Sequence, residues 1–109
     1  MLVKDALDTL IPQLVDVYGE LVDSIILYGS FAKGTQSDDS DIDIAILLRD
    51  TPTKTMNDKM IDIVVDLELE THRVLSVIKI DLQKYNQWSD VLPFYKNIHD
   101  EGICLWKAA

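Results

Sequence analysis

Residues 41 to 48 read Asp-Ile-Asp-Ile-Ala-Ile-Leu-Leu, an order that fits a β-strand and little else. Alternate residues on a strand share a face. Asp41 and Asp43 therefore lie together, their Cα atoms roughly 6–7 Å apart. Ile42, Ile44, Ile46 and Leu48 take the opposite face and anchor the strand in a core. A carboxylate pair at a strand entrance can converge on one or two metal ions. Mg²⁺ suits carboxylate and phosphate oxygen. Two such ions about 3.5–4 Å apart can hold the attacking and leaving oxygens of a phosphoryl or nucleotidyl transfer.

The stretch just upstream complements that chemistry. Ser24 to Tyr28 is a short apolar run rich in β-formers and predicts a strand. Gly29 and Ser30 end it, and Phe31 to Gly34 predict the first turn of a helix. Backbone N–H groups at such a start are unpaired and suit an anion. Ser30 adds a hydroxyl and Lys33 a positive charge. In the loop Gln36–Ser40, Asp38 and Asp39 read as turn residues rather than metal ligands.

Gly29-Ser30, ten intervening residues and Asp41-Ile-Asp43, with a strand before and an apolar strand after, resemble the nucleotidyltransferase signature of the DNA polymerase β superfamily. Ala32-Lys33-Gly34-Thr35 and Ser40 are similar to the minimal nucleotidyltransferases of bacteria and archaea. The resemblance implies an enzyme. Asp41 and Asp43 would be the catalytic, Mg²⁺-holding residues, and Gly29, Ser30 and Lys33 would bind the triphosphate of ATP. It also implies a partner: such proteins often act as antitoxins that transfer AMP to a tyrosine hydroxyl of a helical HEPN ribonuclease toxin.

Many members of the superfamily carry a third carboxylate on a later strand, in a Val-Asp-Leu-Val-like segment. Here Ser76 takes that place. Glu70 is the nearest acidic substitute as a third metal ligand and Glu68 the next, while His72 reads as structural.

The remaining chain predicts an α/β fold of the polymerase β-like type, a small mixed sheet of three to four strands with about four flanking helices. Leu7, Leu10, Ile11, Leu14 and Tyr18 mark one face of a helix that contains Pro12 and stops at Gly19. Thr51 is the expected cap, with Pro52 in the first turn, of a helix reaching Leu67. Met56, Met60, Ile61, Val64 and Leu67 are expected to face inward. Val74 to Ile80 predicts a strand parallel to the Asp41–Leu48 strand. Asp81 reads as a cap for the next turn. Tyr85 and Trp88 punctuate a polar segment, Pro93 opens a helix that Gly102 stops, and Ile103 to Trp106 predicts a short edge strand.

A chain of 109 residues, 48% hydrophobic, predicts one domain spanning 1–109. No apolar run approaches a membrane span and no secretory leader is evident, so a cytoplasmic protein is expected. The single Cys104 reads as a small buried hydrophobe. A net charge of −9 argues against direct nucleic-acid binding. It is compatible with metal-bridged ATP and with a basic protein partner.

Two alternatives remain open on sequence. One is transfer to a small hydroxyl compound, as aminoglycoside nucleotidyltransferases perform; the expected absence of a second, acceptor-binding domain weighs against it. The other is a catalytically degenerate module that masks its partner, which the Ser76 departure favours.

Overall fold

Leu7, Leu10, Leu14 and Tyr18 recur at helical spacing, and in the computed structural model all are buried along one side of helix α1 (Val3–Tyr18). The structure describes residues 2–109. Helix α1 continues through Pro12, whose ring is exposed. It stops at Gly19, where φ is 56°. A single 3-10 turn, Gly19–Leu21, then feeds strand β1 (Val22–Tyr28). After the one-turn helix α2 (Ser30–Lys33) come β2 (Ile42–Leu48), α3 (Lys54–Thr71) and β3 (Leu75–Asp81). Helices α4 (Leu82–Trp88) and α5 (Pro93–Glu101) and strand β4 (Ile103–Lys107) complete the order.

The strands form one mixed sheet in the order β3-β2-β1-β4. Strand β1 runs antiparallel to both β2 and β4, and β2 runs parallel to β3 across the α3 crossover. The period-2 pattern of β2 divides the sheet into two buried faces. Ile42, Ile44, Ile46 and Leu48 join Ile25, Leu27 and Leu75 beneath α1 and α3. Ala45 and Leu47 join Ile80, Tyr85 and Ile98 beneath α4 and α5. The Tyr18 hydroxyl donates to Asn57 Oδ1 at 2.9 Å and ties α1 to α3.

The α/β class and mixed sheet agree with the sequence, with four strands and five α-helices. Four details differ. Helix α3 is capped by Thr53, whose Oγ1 accepts from Met56 N at 3.2 Å. Thr51 instead turns the chain, its N–H bonded to Asp50 Oδ1 at 2.7 Å, and Pro52 precedes the cap. Ile61 lies on the outer side of α3, while Met60 and Leu67 are buried. The polar segment after Asp81 is the helix α4. Asp81 Oδ1 caps it by accepting from Gln83 N at 2.9 Å. Cys104 is exposed: it pairs with Ile26 on the face beneath α4 and α5, but β4 is the edge strand and the helices leave that residue uncovered.

Candidate active site

Sheet register builds a row of three residues at one end of the sheet. Tyr28 on β1 pairs with Asp43 on β2, and Asp43 pairs with Ser76 on β3. Asp43 shares its face of β2 with Ala45 and Leu47, which α4 and α5 cover. Asp41 stands exposed one residue before β2. The pair is electrostatically costly without a cation. Burial pushes the Asp43 carboxyl up from its ordinary value, and the Asp41 charge pushes it further. Burial also raises the Tyr28 phenol, with Asp43 adding to it.

Gly29 sits directly against this carboxylate. Its φ of 75° and ψ of −155° lie in a region that side chains avoid. A Cβ there would collide with Asp43 Oδ2. Glycine is thus required twice, for the backbone conformation and for the close approach. The chain then turns into α2, placing Ser30 next to Gly29 and Lys33 one turn on. Lys33 Nζ pairs with Glu101 Oε2 at 3.0 Å, both side chains about half exposed. Beside Gly29 lies a cavity of about 110 Å³ between β1 and α5. It is lined by Tyr28, Lys33, Phe94, Asn97 and Glu101 among others. Phe94 meets the Tyr28 ring edge-on at 5.7 Å between centroids.

Gly29, Ser30, Asp41 and Asp43 are thus gathered at one sheet end, with Lys33 at its margin. Glu70 is not joined to them. Among the described residues, no three His, Cys, Asp or Glu side chains form a metal-holding group. Glu70 is exposed on the last turn of α3. Glu68 is committed elsewhere: its Oε2 accepts from Leu75 N at 3.0 Å and fixes the start of β3. Asp38 and Asp39 lie exposed in the turn before β2.

Arg73 is the residue that sequence reasoning missed. Its Nη1 donates to the carbonyl oxygens of Ser37, Asp38 and Ser40, at 3.4, 3.1 and 3.2 Å. Its guanidinium lies 5.3 Å from the centre of the Phe31 ring. One side chain therefore pins α2 and the loop that delivers Asp41. Ser40 closes the same loop, its Oγ accepting from Ser37 N at 2.8 Å. No local signal marks Arg73, since its partners lie more than thirty residues away in the chain.

Comparison with known proteins bears on the family and the fold. The family profile described as "Polymerase beta, Nucleotidyltransferase" matches residues 13–109. A Methanocaldococcus jannaschii relative named "putative protein adenylyltransferase" is 35% identical over 57 residues. That match covers 52% of this chain and 58% of the relative, so the chain aligns with little more than half of it. A toxin–antitoxin crystal structure with AMP-PNP superposes with a TM-score of 0.62 at 24% identity, covering 93% of this chain and 73% of the matched one. A tri-AMPylated Shewanella oneidensis HEPN toxin in complex with its MNT antitoxin gives a TM-score of 0.55 at 20% identity, covering 96% and 72%. At these identities the structural matches establish a shared fold.

Proposed function

The chain belongs to the polymerase beta nucleotidyltransferase family, and from that premise we propose that it moves AMP from ATP to a hydroxyl of a partner protein. The observation that carries this reading is the Asp43 carboxylate seated against Gly29, with Asp41 close enough to raise its pKa. Two carboxylates held together at a cost, beside a glycine-serine turn, suit a divalent cation that brings a triphosphate with it.

Asp41 and Asp43 would hold Mg²⁺, which when bound neutralises charge on the triphosphate. Gly29 lets the backbone approach the phosphates with no side chain between. The Ser30 hydroxyl donates to a phosphate oxygen. Lys33 reaches the same place by leaving Glu101, and a half-exposed ion pair costs under about 1 kcal/mol to break. The acceptor oxygen bonds to the α-phosphorus as the bond to the bridging oxygen breaks. Pyrophosphate leaves with the electron pair, and the hydroxyl proton passes to solvent.

The acceptor we propose is a tyrosine of a helical HEPN-type toxin, so that the protein acts as an antitoxin. The similarity to a toxin–antitoxin complex and to an antitoxin bound to an AMPylated toxin supports this choice. Intact mass spectrometry of the partner, incubated with the protein and Mg²⁺-ATP, tests it. AMP-sized increments are expected with the wild type and none with Asp43→Asn. A partner that is inhibited equally by both proteins and gains no mass overturns catalysis.

The masking reading then takes its place. The specific observation favouring it is Ser76 opposite Asp43, where a third carboxylate would complete the site.

A further inference from the structure

Helix α3 leaves an organised face uncovered. Ile61, Val65 and Leu69 recur every fourth residue along its outer side and are 53%, 46% and 70% exposed. They form a ridge roughly 12 Å long at 1.5 Å per residue. Asp58, Asp62, Asp66 and Glu70 recur at the same spacing. At 3.6 residues per turn they form a second ridge along one flank of the first. Lys54 neutralises Asp58 at 2.8 Å. Among the described residues, Asp62, Asp66 and Glu70 have no ion-pair partner. The apolar core of α3 lies on the other side, through Met60 and Leu67. Solvated helix faces are ordinarily polar, so this ridge has a high cost in water.

We propose that this face docks a helix of a second protein, one bearing an apolar stripe flanked by lysine or arginine. Charge decides the occupant. An antiparallel two-fold pairing of α3 with its own copy would set the two acidic ridges against each other, and each chain already carries a net charge of −9. A basic flank instead meets the acidic ridge while the apolar stripes are buried.

Position adds a consequence. Val74 O accepts from Ile42 N at 2.9 Å, so the segment that follows α3 runs beside the strand entrance that carries Asp41 and Asp43. A helix seated on α3 therefore lies on the α1 side of the sheet, next to the segment that leads to that entrance. This deepens the reading of a protein acceptor, but the docking itself is testable without it.

The probe is a fluorescent synthetic helix of leucine and lysine with a single apolar stripe, followed by anisotropy, with a leucine–glutamate helix as control. The wild type is expected to bind the lysine helix at least ~10-fold more tightly than the glutamate helix, with affinity falling as salt rises. Val65→Ser/Leu69→Ser is expected to weaken binding at least ~10-fold, since central apolar anchors dominate such contacts. Its melting temperature should not fall, because both side chains are exposed. Asp62→Asn/Asp66→Asn should weaken binding and flatten its salt dependence. Equal binding by Val65→Ser/Leu69→Ser overturns the proposal, for the peptide is then held only by general acidity. So does a wild-type dimer that this variant dissociates, since a second copy then covers the face. Calorimetry with Mg²⁺-ATP on the same proteins separates the two readings. Peptide binding by a wild type that takes no ATP leaves the docking face standing and removes the active-site assignment.

Discussion

Gly29→Ala should be far more damaging than Gly34→Ala, although both glycines have positive φ. Gly34 sits at φ 73° and ψ 19°, a left-handed position, and a Cβ there meets nothing within 4 Å. Its substitution should cost about 1–2 kcal/mol, the penalty of that conformation alone. Gly29, at φ 75° and ψ −155°, carries a conformational penalty of about 1–3 kcal/mol. Its Cβ also displaces the Asp43 carboxylate, which adds about 0.5–1.5 kcal/mol if that side chain is driven off its rotamer. The total is about 1.5–4.5 kcal/mol. For a chain of this size it should lower Tm by roughly 6–18 °C, at about 4 °C per kcal/mol.

A double-mutant cycle isolates the contact. In an Asp43→Ala background the carboxylate is gone, so Gly29→Ala should cost about 1 kcal/mol less than in the wild type. Urea unfolding of the four proteins reads the coupling directly. Zero coupling, or equal melting of Gly29→Ala and Gly34→Ala, would refute the claim that Gly29 is shaped around Asp43.

Asp43→Asn should raise Tm at pH 7 in the absence of metal. The native carboxyl has a raised pKa, so its contribution is full below the ordinary carboxylate value and lost as pH rises through the raised one. The Tm gain should therefore shrink to nothing on acidification, and a scan showing it constant with pH would contradict this. Arg73→Lys should loosen residues 37–41, because an ammonium does not reproduce the guanidinium fork. Hydrogen exchange at the Ser40 amide should quicken while the sheet amides hold; unchanged exchange would dismiss Arg73 as the clamp. Tyr18→Phe should cost about 1 kcal/mol through the lost bond to Asn57, and urea unfolding would expose an indifferent hydroxyl.

Much of the sheet and the gathering at its entrance were legible because they rest on short-range order. The alternation of β2 separates its isoleucines from Asp43, and this is the division between the two buried faces. Gly102 was legible as a helix stop but not for its other constraint. A Cβ there would collide with Ile98 O at the helix end and with Ile26 Cγ2, and only the packing of α5 on β1 creates the second contact. Helix α4 is not legible in the sequence, because Leu82 and Tyr85 alone face inward from a short polar run, too few to display a period. Ile61 reads as inward on hydrophobicity, yet at 3.6 residues per turn it lies roughly a third of a turn from the side that Met60 and Leu67 bury. The apolar neighbours of Cys104 suggest burial, but on an edge strand a residue can share the face of a half-buried partner, Ile26, and still lie beyond the helices that cover it.

Glu70 follows the same logic: among the described residues it forms no metal-holding group with the pair. Proximity in sequence to a strand entrance places a residue near the site only if it lies on the right side of the sheet. Strand register does that for Ser76, opposite Asp43. Helix α3 packs on the α1 side of the sheet, whereas Asp43 lies on the face shared with Ala45 and Leu47. An acidic residue on the exposed last turn of α3 has no register position that sets it opposite Asp43. Along the helix Glu70 follows Asp66 by one turn, and in the proposed docking face it belongs to that acidic ridge.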